Sequence, residues 1–247
     1  MSIRLRHVVG VLCIVAVAVV LLRLGGRSLG PATVRGEGRS YHYVVEQTDG
    51  AAPDEPYMMT VQVDDPDNDF SDYKAENDAR IAAWQAEPQS APEVDGRPVR
   101  VTFTSPRSYT ETLEIVDSFA DEYVLYRVVG ASPSYGSRAM DGMGEIDPAT
   151  IGEVVDPACG VAVDALGTPD PTACEIIDYS GVIHVQFTVR GGVDALVDLQ
   201  EHPNVFLADS TAIVVVEELG AEYGIGVGDL AVVSLPFALF DDRVTFP

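Results

Sequence analysis

Residues 184–210 read HVQFTVRGGVDALVDLQEHPNVFLADS, and this run decides the fold class. Its opening strand lies within GVIHVQFTVRG (181–191), where side chains alternate with the period of two that a half-buried strand requires. The period then changes. In GVDALVDLQEHP (192–203), Val193, Leu196, Val197 and Leu199 fall at helical spacing and Pro203 stops the helix. NVFLADS (204–210) returns to an apolar strand.

Reading downstream, TAIVVVEEL (211–219) and DLAVVSLPF (229–237) add two apolar strand candidates. Upstream, SYHYVVEQ (40–47) and PYMMTVQVDD (56–65) are rich in aromatic and β-branched residues and form a strand, loop, strand unit. SDYKAENDARIAAWQAE (71–87) is expected to be a helix ended by Pro88. PVRVTFTS (98–105), YTETLEIVD (109–117) and EYVLYRVVG (122–130) are three more expected strands, the last two joined as a hairpin by SFAD. Residues 131–175 carry Gly and Pro every few positions with little period. The expected fold is therefore α+β, mostly antiparallel sheet with two or three short helices. The 27 residues quoted first resemble the strand, helix, strand half of a split β-α-β module of the ferredoxin-like type. The resemblance implies architecture alone, because it rests on no chemical motif.

The chain is organised around its N-terminal segment. Val8 to Leu22 carry no polar side chain, follow Arg4 and Arg6, and precede Arg23, which is the pattern of an export element. About 15 apolar residues suit a secretory core, whereas spanning takes about 20, a length approached if Arg6 and Arg23 snorkel. No A-x-A cleavage pattern follows. Residues 1–24 are read as a transmembrane anchor or signal helix touching the membrane through 8–24. Residues 25–39 are read as a flexible tether, and 40–247 as an extracytoplasmic globular domain with a sub-boundary in 131–180. The alternative is secretion after cleavage.

Charge narrows the partners. The formal net charge is -24, and six of the 15 basic residues precede residue 40, where Glu37 is the only acid. Lys74 is the only lysine. So acidic a body repels nucleic acid and anionic lipid, and nucleic-acid binding is discarded. Dense carboxylates also suit a high-salt source, beside the plainer reading of an ordinary acidic surface. Cys159 and Cys174 bracket a loop rich in Pro and Gly, and a disulfide there, worth roughly 3 kcal/mol, belongs to an oxidising compartment. The competing reading is two unrelated buried thiols.

Candidate chemistry is sparse. Asp65, Asp67 and Asp69 recur at every second position and Glu76 falls twelfth, the spacing of hard oxygen ligands in a calcium loop. Phe70 stands where that loop needs Gly, and a solvated acidic turn whose Asp69 or Ser71 caps the next helix is the plainer reading. GIGVG (224–228) lacks the following helix of a phosphate loop and reads as a turn between strands. His42, His184 and His202 stand in no metal or nucleophile motif. The expected function is a non-enzymatic, membrane-tethered domain that binds or senses a protein partner or cations, with no cofactor other than calcium. The alternatives are an anchored or secreted hydrolase with a dispersed site around His184 or His42, and a calcium-stabilised surface domain.

Overall fold

The computed structural model describes residues 33–47, 56–64, 70–132, 136–142, 153–155 and 176–236. In chain order its strands and helices are β1 (Thr33–Glu37), β2 (Tyr41–Gln47), β3 (Tyr57–Val63), α1 (Ser71–Ala86), β4 (Pro98–Arg107), α2 (Tyr109–Val116), β5 (Ala120–Ser132), β6 (Gly136–Gly142), β7 (Glu153–Val155), β8 (Ile176–Val189), α3 (Gly192–Glu201), β9 (Val205–Asp209), α4 (Thr211–Tyr223) and β10 (Leu230–Ser234). The architecture is α+β, with four α-helices among the described residues rather than two or three. The segments expected to be an N-terminal helix and a disulfide loop, including Cys159 and Cys174, lie outside the described residues.

One sheet has the order β1-β2-β3-β10, antiparallel except that β10 runs parallel to β3. Tyr41, Tyr43 and Val45 of β2 and Tyr57, Met59 and Val61 of β3 are buried at every second position, as the pleat dictates. β1 corrects the reading of 25–39 as a tether throughout. Val34 enters the core, and two glycines let large rings close over the backbone: a Cβ on Gly36 would run into Tyr43, and one on Gly38 into Tyr41.

The other sheet has the order β6-β5-β8-β4-β9, with β7 also paired to β8. β4 lies between β8 and β9 and is antiparallel to both, so those two run parallel and α3 carries the chain across the strand between them. Val99, Val101 and Phe103 of β4 join Val185 and Phe187 of β8 in a core that also takes Trp84 of α1, Val116 of α2 and Leu196 of α3. The opposite face of β4 and β8 carries Arg100, Thr102, His184 and Gln186, each 5% exposed or less.

Two expected strands are helices. Tyr109–Val116, within the expected strand 109–117, form α2 because Ser108 caps it: Ser108 Oγ accepts from the Glu111 amide at 3.3 Å, and Glu111 Oε2 accepts from the Ser108 amide at 2.9 Å. Thr112, Ile115 and Val116 then turn inward at helical spacing, and the expected hairpin with β5 does not form. Residues 211–219 begin α4, in which Ala212, Val215, Val216 and Leu219 face the four-stranded sheet while Ile213 enters the core of the other. A helix buried on both sides reads as a continuous apolar run, so burial overrides the weak helix preference of Ile and Val. Gly224, at φ 71°, ends α4. GIGVG thus joins a helix to a strand, not two strands. Within 131–175, the stretch with little period, β6 and β7 are strands.

Candidate functional site

A cleft of about 370 Å³ opens between the β2–β3 hairpin and α1. One wall is Arg39 and Ser40, just before β2, with Val63 and Asp64 at the end of β3. These two chain segments are held together by the Asp64 amide donating to the Ser40 carbonyl at 3.2 Å. The other wall is a single stripe of α1, Asp72, Ala75, Glu76 and Ala79, whose i, i+3, i+4, i+7 spacing places them on one face. Phe70 and Tyr73 form the floor, 5% and 1% exposed, with ring centroids 5.3 Å apart and edge-to-face.

Three polar groups of the rim, Ser40, Asp64 and Glu76, are tied to neighbours. Ser40 Oγ donates to Glu76 Oε2 at 2.6 Å, and Arg80 donates to Glu76 Oε1 at 3.3 Å. His42 Nδ1 lies 2.8 Å from Asp64 Oδ1, and its Nε2 lies 2.9 Å from Gln62 Oε1. The bond to Asp64 raises the His42 pKa above its ordinary value, so the imidazolium forms at a higher pH than usual. Proton exchange with solvent is within this pair's chemistry. Serine activation by it is not arranged, since the Ser40 hydroxyl is turned to Glu76.

Beneath the floor lies a buried polar network. Tyr73 Oη is 2.8 Å from both Asp209 Oδ2 and Thr211 Oγ1, and its proton goes to the carboxylate. Burial raises the Tyr73 pKa far above the usual phenol value, which keeps it a donor. Burial also raises the Asp209 pKa, against the opposing pull of the Thr211 amide at 2.9 Å and of Tyr73. Asn77 Nδ2 donates to the Ala208 carbonyl at 2.9 Å, while its Oδ1 accepts from the Ser210 amide at 2.9 Å. Hence α1 is stitched to the corner between β9 and α4.

A second buried cluster joins the sheets. Asp209 sits opposite Arg100 in the β4–β9 register, and both are fully buried. The Arg100 guanidinium donates to the Leu235 carbonyl and, at 3.0 Å, to Gln186 Oε1. Gln186 Nε2 donates to the Val233 carbonyl of β10 at 2.8 Å. His184, 1% exposed, has its pKa held well below the ordinary value by burial first and then by Arg100 and Arg127, so it stays neutral.

The residues singled out in the sequence are dispersed. Asp65, Asp67 and Asp69 lie outside the described residues, whereas Glu76 is on the wall of the cleft. Phe70, not Asp69 or Ser71, is the N-cap of α1, in left-handed backbone at φ 55° with no side-chain capping bond. Among the described residues no three His, Cys, Asp or Glu side chains gather to hold a metal, and no helix is long and apolar enough to cross a membrane. His42 belongs to the four-stranded sheet and His184 to the six-stranded one. His202 ends α3, where its Nδ1 accepts from the Asn204 amide at 3.2 Å. Ser40, Asp64, Tyr73 and Asp209 escaped the sequence reading. Only the small-and-acidic stripe Asp72, Ala75, Glu76, Ala79 on a helix with Tyr73, Asn77 and Ile81 inward offered a signal. No protein-family model, curated protein or solved structure matches this chain.

Proposed function

We propose that the chain is a non-enzymatic binding or sensing domain, held at the outer face of a membrane by residues 8–24, with the cleft between the β2–β3 hairpin and α1 as its ligand site. The observation that carries the reading is the cleft: concave, about 370 Å³, with a polar rim over an aromatic floor. Such a volume suits one or two protruding side chains of a protein partner. The apolar run at 8–22 between arginines supports the anchor, and the acidity of the rest supports a body that stands off anionic lipid. The β8–α3–β9 crossover around β4 supports the split β-α-β resemblance as architecture only.

Ala75→Trp tests the site, because Ala75 is exposed on the cleft wall and a large ring there fills the space. Peptides captured from a random display library on the full chain in detergent micelles are expected to lose binding to Ala75→Trp, with the melting temperature unchanged within a few degrees. Capture that survives the substitution, or no capture at all, refutes the reading. Placement is tested by fractionation and by an impermeant thiol reagent on intact cells after reduction. Full-length chain in the soluble cytosolic fraction, with Cys159 and Cys174 labelled only after lysis, overturns it.

A second reading, the calcium-stabilised domain, is favoured by one observation. Phe70 occupies the sixth position of the Asp65–Glu76 spacing and has the left-handed backbone that the turn of a calcium loop demands there. A chelator is then expected to lower the melting temperature, and an unchanged melt in EDTA removes the reading.

A further inference from the structure

We propose that Tyr73 is a lever linking the cleft floor to β10, so that displacing the floor loosens the hold of the six-stranded sheet on that strand. The connections form a closed ring of side chains and strands. Tyr73 lies under the cleft and donates to buried Asp209 at 2.8 Å. Asp209 lies across the β9–β4 ladder from Arg100, whose charge it attracts. Arg100 holds the Leu235 carbonyl and Gln186, and Gln186 holds the Val233 carbonyl at 2.8 Å. β10 in turn pairs with β3, from Leu230 opposite Tyr57 to Ser234 opposite Thr60, and β3 ends at Val63, back on the cleft wall.

Two physical features make this ring a transmitter rather than a set of separate bonds. Tyr73, Asp209, Arg100 and Gln186 are each 3% exposed or less, so a bond broken at one cannot be replaced cheaply by water. Between β9 and β10 the chain makes the whole of α4, and the side-chain ring spans that interval directly. A shift of the Tyr73 ring, the expected response to an occupant pressing on the floor, removes a donor from Asp209 and frees its charge to draw Arg100 away from Leu235. The linkage holds whatever the cleft binds.

Hydrogen exchange by mass spectrometry on the full chain in detergent micelles tests this without a ligand. Tyr73→Phe removes only the hydroxyl. Amides of Leu230–Ser234 are expected to exchange about tenfold faster, the effect of one lost buried hydrogen bond, while those of β5 stay within about twofold. Unchanged rates in β10, or equal acceleration in every strand, overturn the proposal, the latter because Tyr73 would then support only overall stability. Should Tyr73→Phe fail to fold, Gln186→Met cuts the ring from the opposite side. Because coupling is reciprocal, the α1 amides around Asn77 must then accelerate with β10, and their silence overturns the proposal equally.

Discussion

Arg100→Met is the most informative single change. Methionine keeps the apolar stem and removes the guanidinium, leaving the Leu235 carbonyl and Gln186 Oε1 without their buried donor and the Asp209 carboxylate without its neighbouring cation. Leaving a buried acceptor without its donor costs about 1–3 kcal/mol, and here two acceptors lose theirs while a buried carboxylate loses a nearby positive charge. We therefore expect a loss of about 3–5 kcal/mol, a large share of the stability of a domain of this kind. Asp209→Asn alone is expected to cost about 1–3 kcal/mol, since the Tyr73 hydroxyl donates to Oδ2 and the Thr211 amide to Oδ1, and the carboxamide keeps only one of these two acceptors. In the double variant the orphaned charge is gone, so the combined loss should fall short of the sum by at least about 1 kcal/mol. Trp84, the single tryptophan and 8% exposed, reports unfolding in urea by fluorescence. A loss under about 1 kcal/mol for Arg100→Met, or strict additivity with Asp209→Asn, would refute the inference that Arg100 and Asp209 are coupled at the sheet junction.

Three further outcomes follow from the geometry. Gly36→Ala drives a methyl group into the Tyr43 ring and is expected to lower the melting temperature by several degrees, as overpacking of about 1–3 kcal/mol does, whereas Gly96→Ala, with open space around it, should act only through its left-handed backbone at φ 71°. Ser108→Ala removes the cap of α2, so amides of Tyr109–Glu111 should exchange faster; because Ser108 is the main cause of the lowered Glu111 pKa, that carboxyl should titrate at higher pH by NMR. Burial raises the folded pKa of Asp209, so its contribution to stability is complete below its unfolded value and is lost as pH rises through the folded one; Asp209→Asn should flatten that part of the stability profile, measured by urea midpoints across pH.

The sequence made the period-two strands plain. Tyr41, Tyr43 and Val45 of β2 alternate with half-exposed neighbours, and α3 announced itself by Leu196, Val197 and Leu199 before Pro203. The failures share a physical cause, which is that burial on two sides erases periodicity. α4 lies between both sheets, so Ile213, Val215 and Val216 read as strand. α2 is short, and its apolar positions mimic alternation; the S-x-x-E signature at Ser108–Glu111 was the cue that outweighs it. The site was less legible than the fold. Tyr73 and Asp209 are 136 positions apart and carry no motif, so only the folded chain shows that they meet.

The position of β10 has a consequence for how the chain is made. The four-stranded sheet receives its last strand only after residues 64–229 have been synthesised, and Arg100 waits for a carbonyl at Leu235. Until β10 arrives one edge of β3 has no partner, and so non-local a pairing favours slow, late closure of this sheet over stepwise folding from the N-terminus.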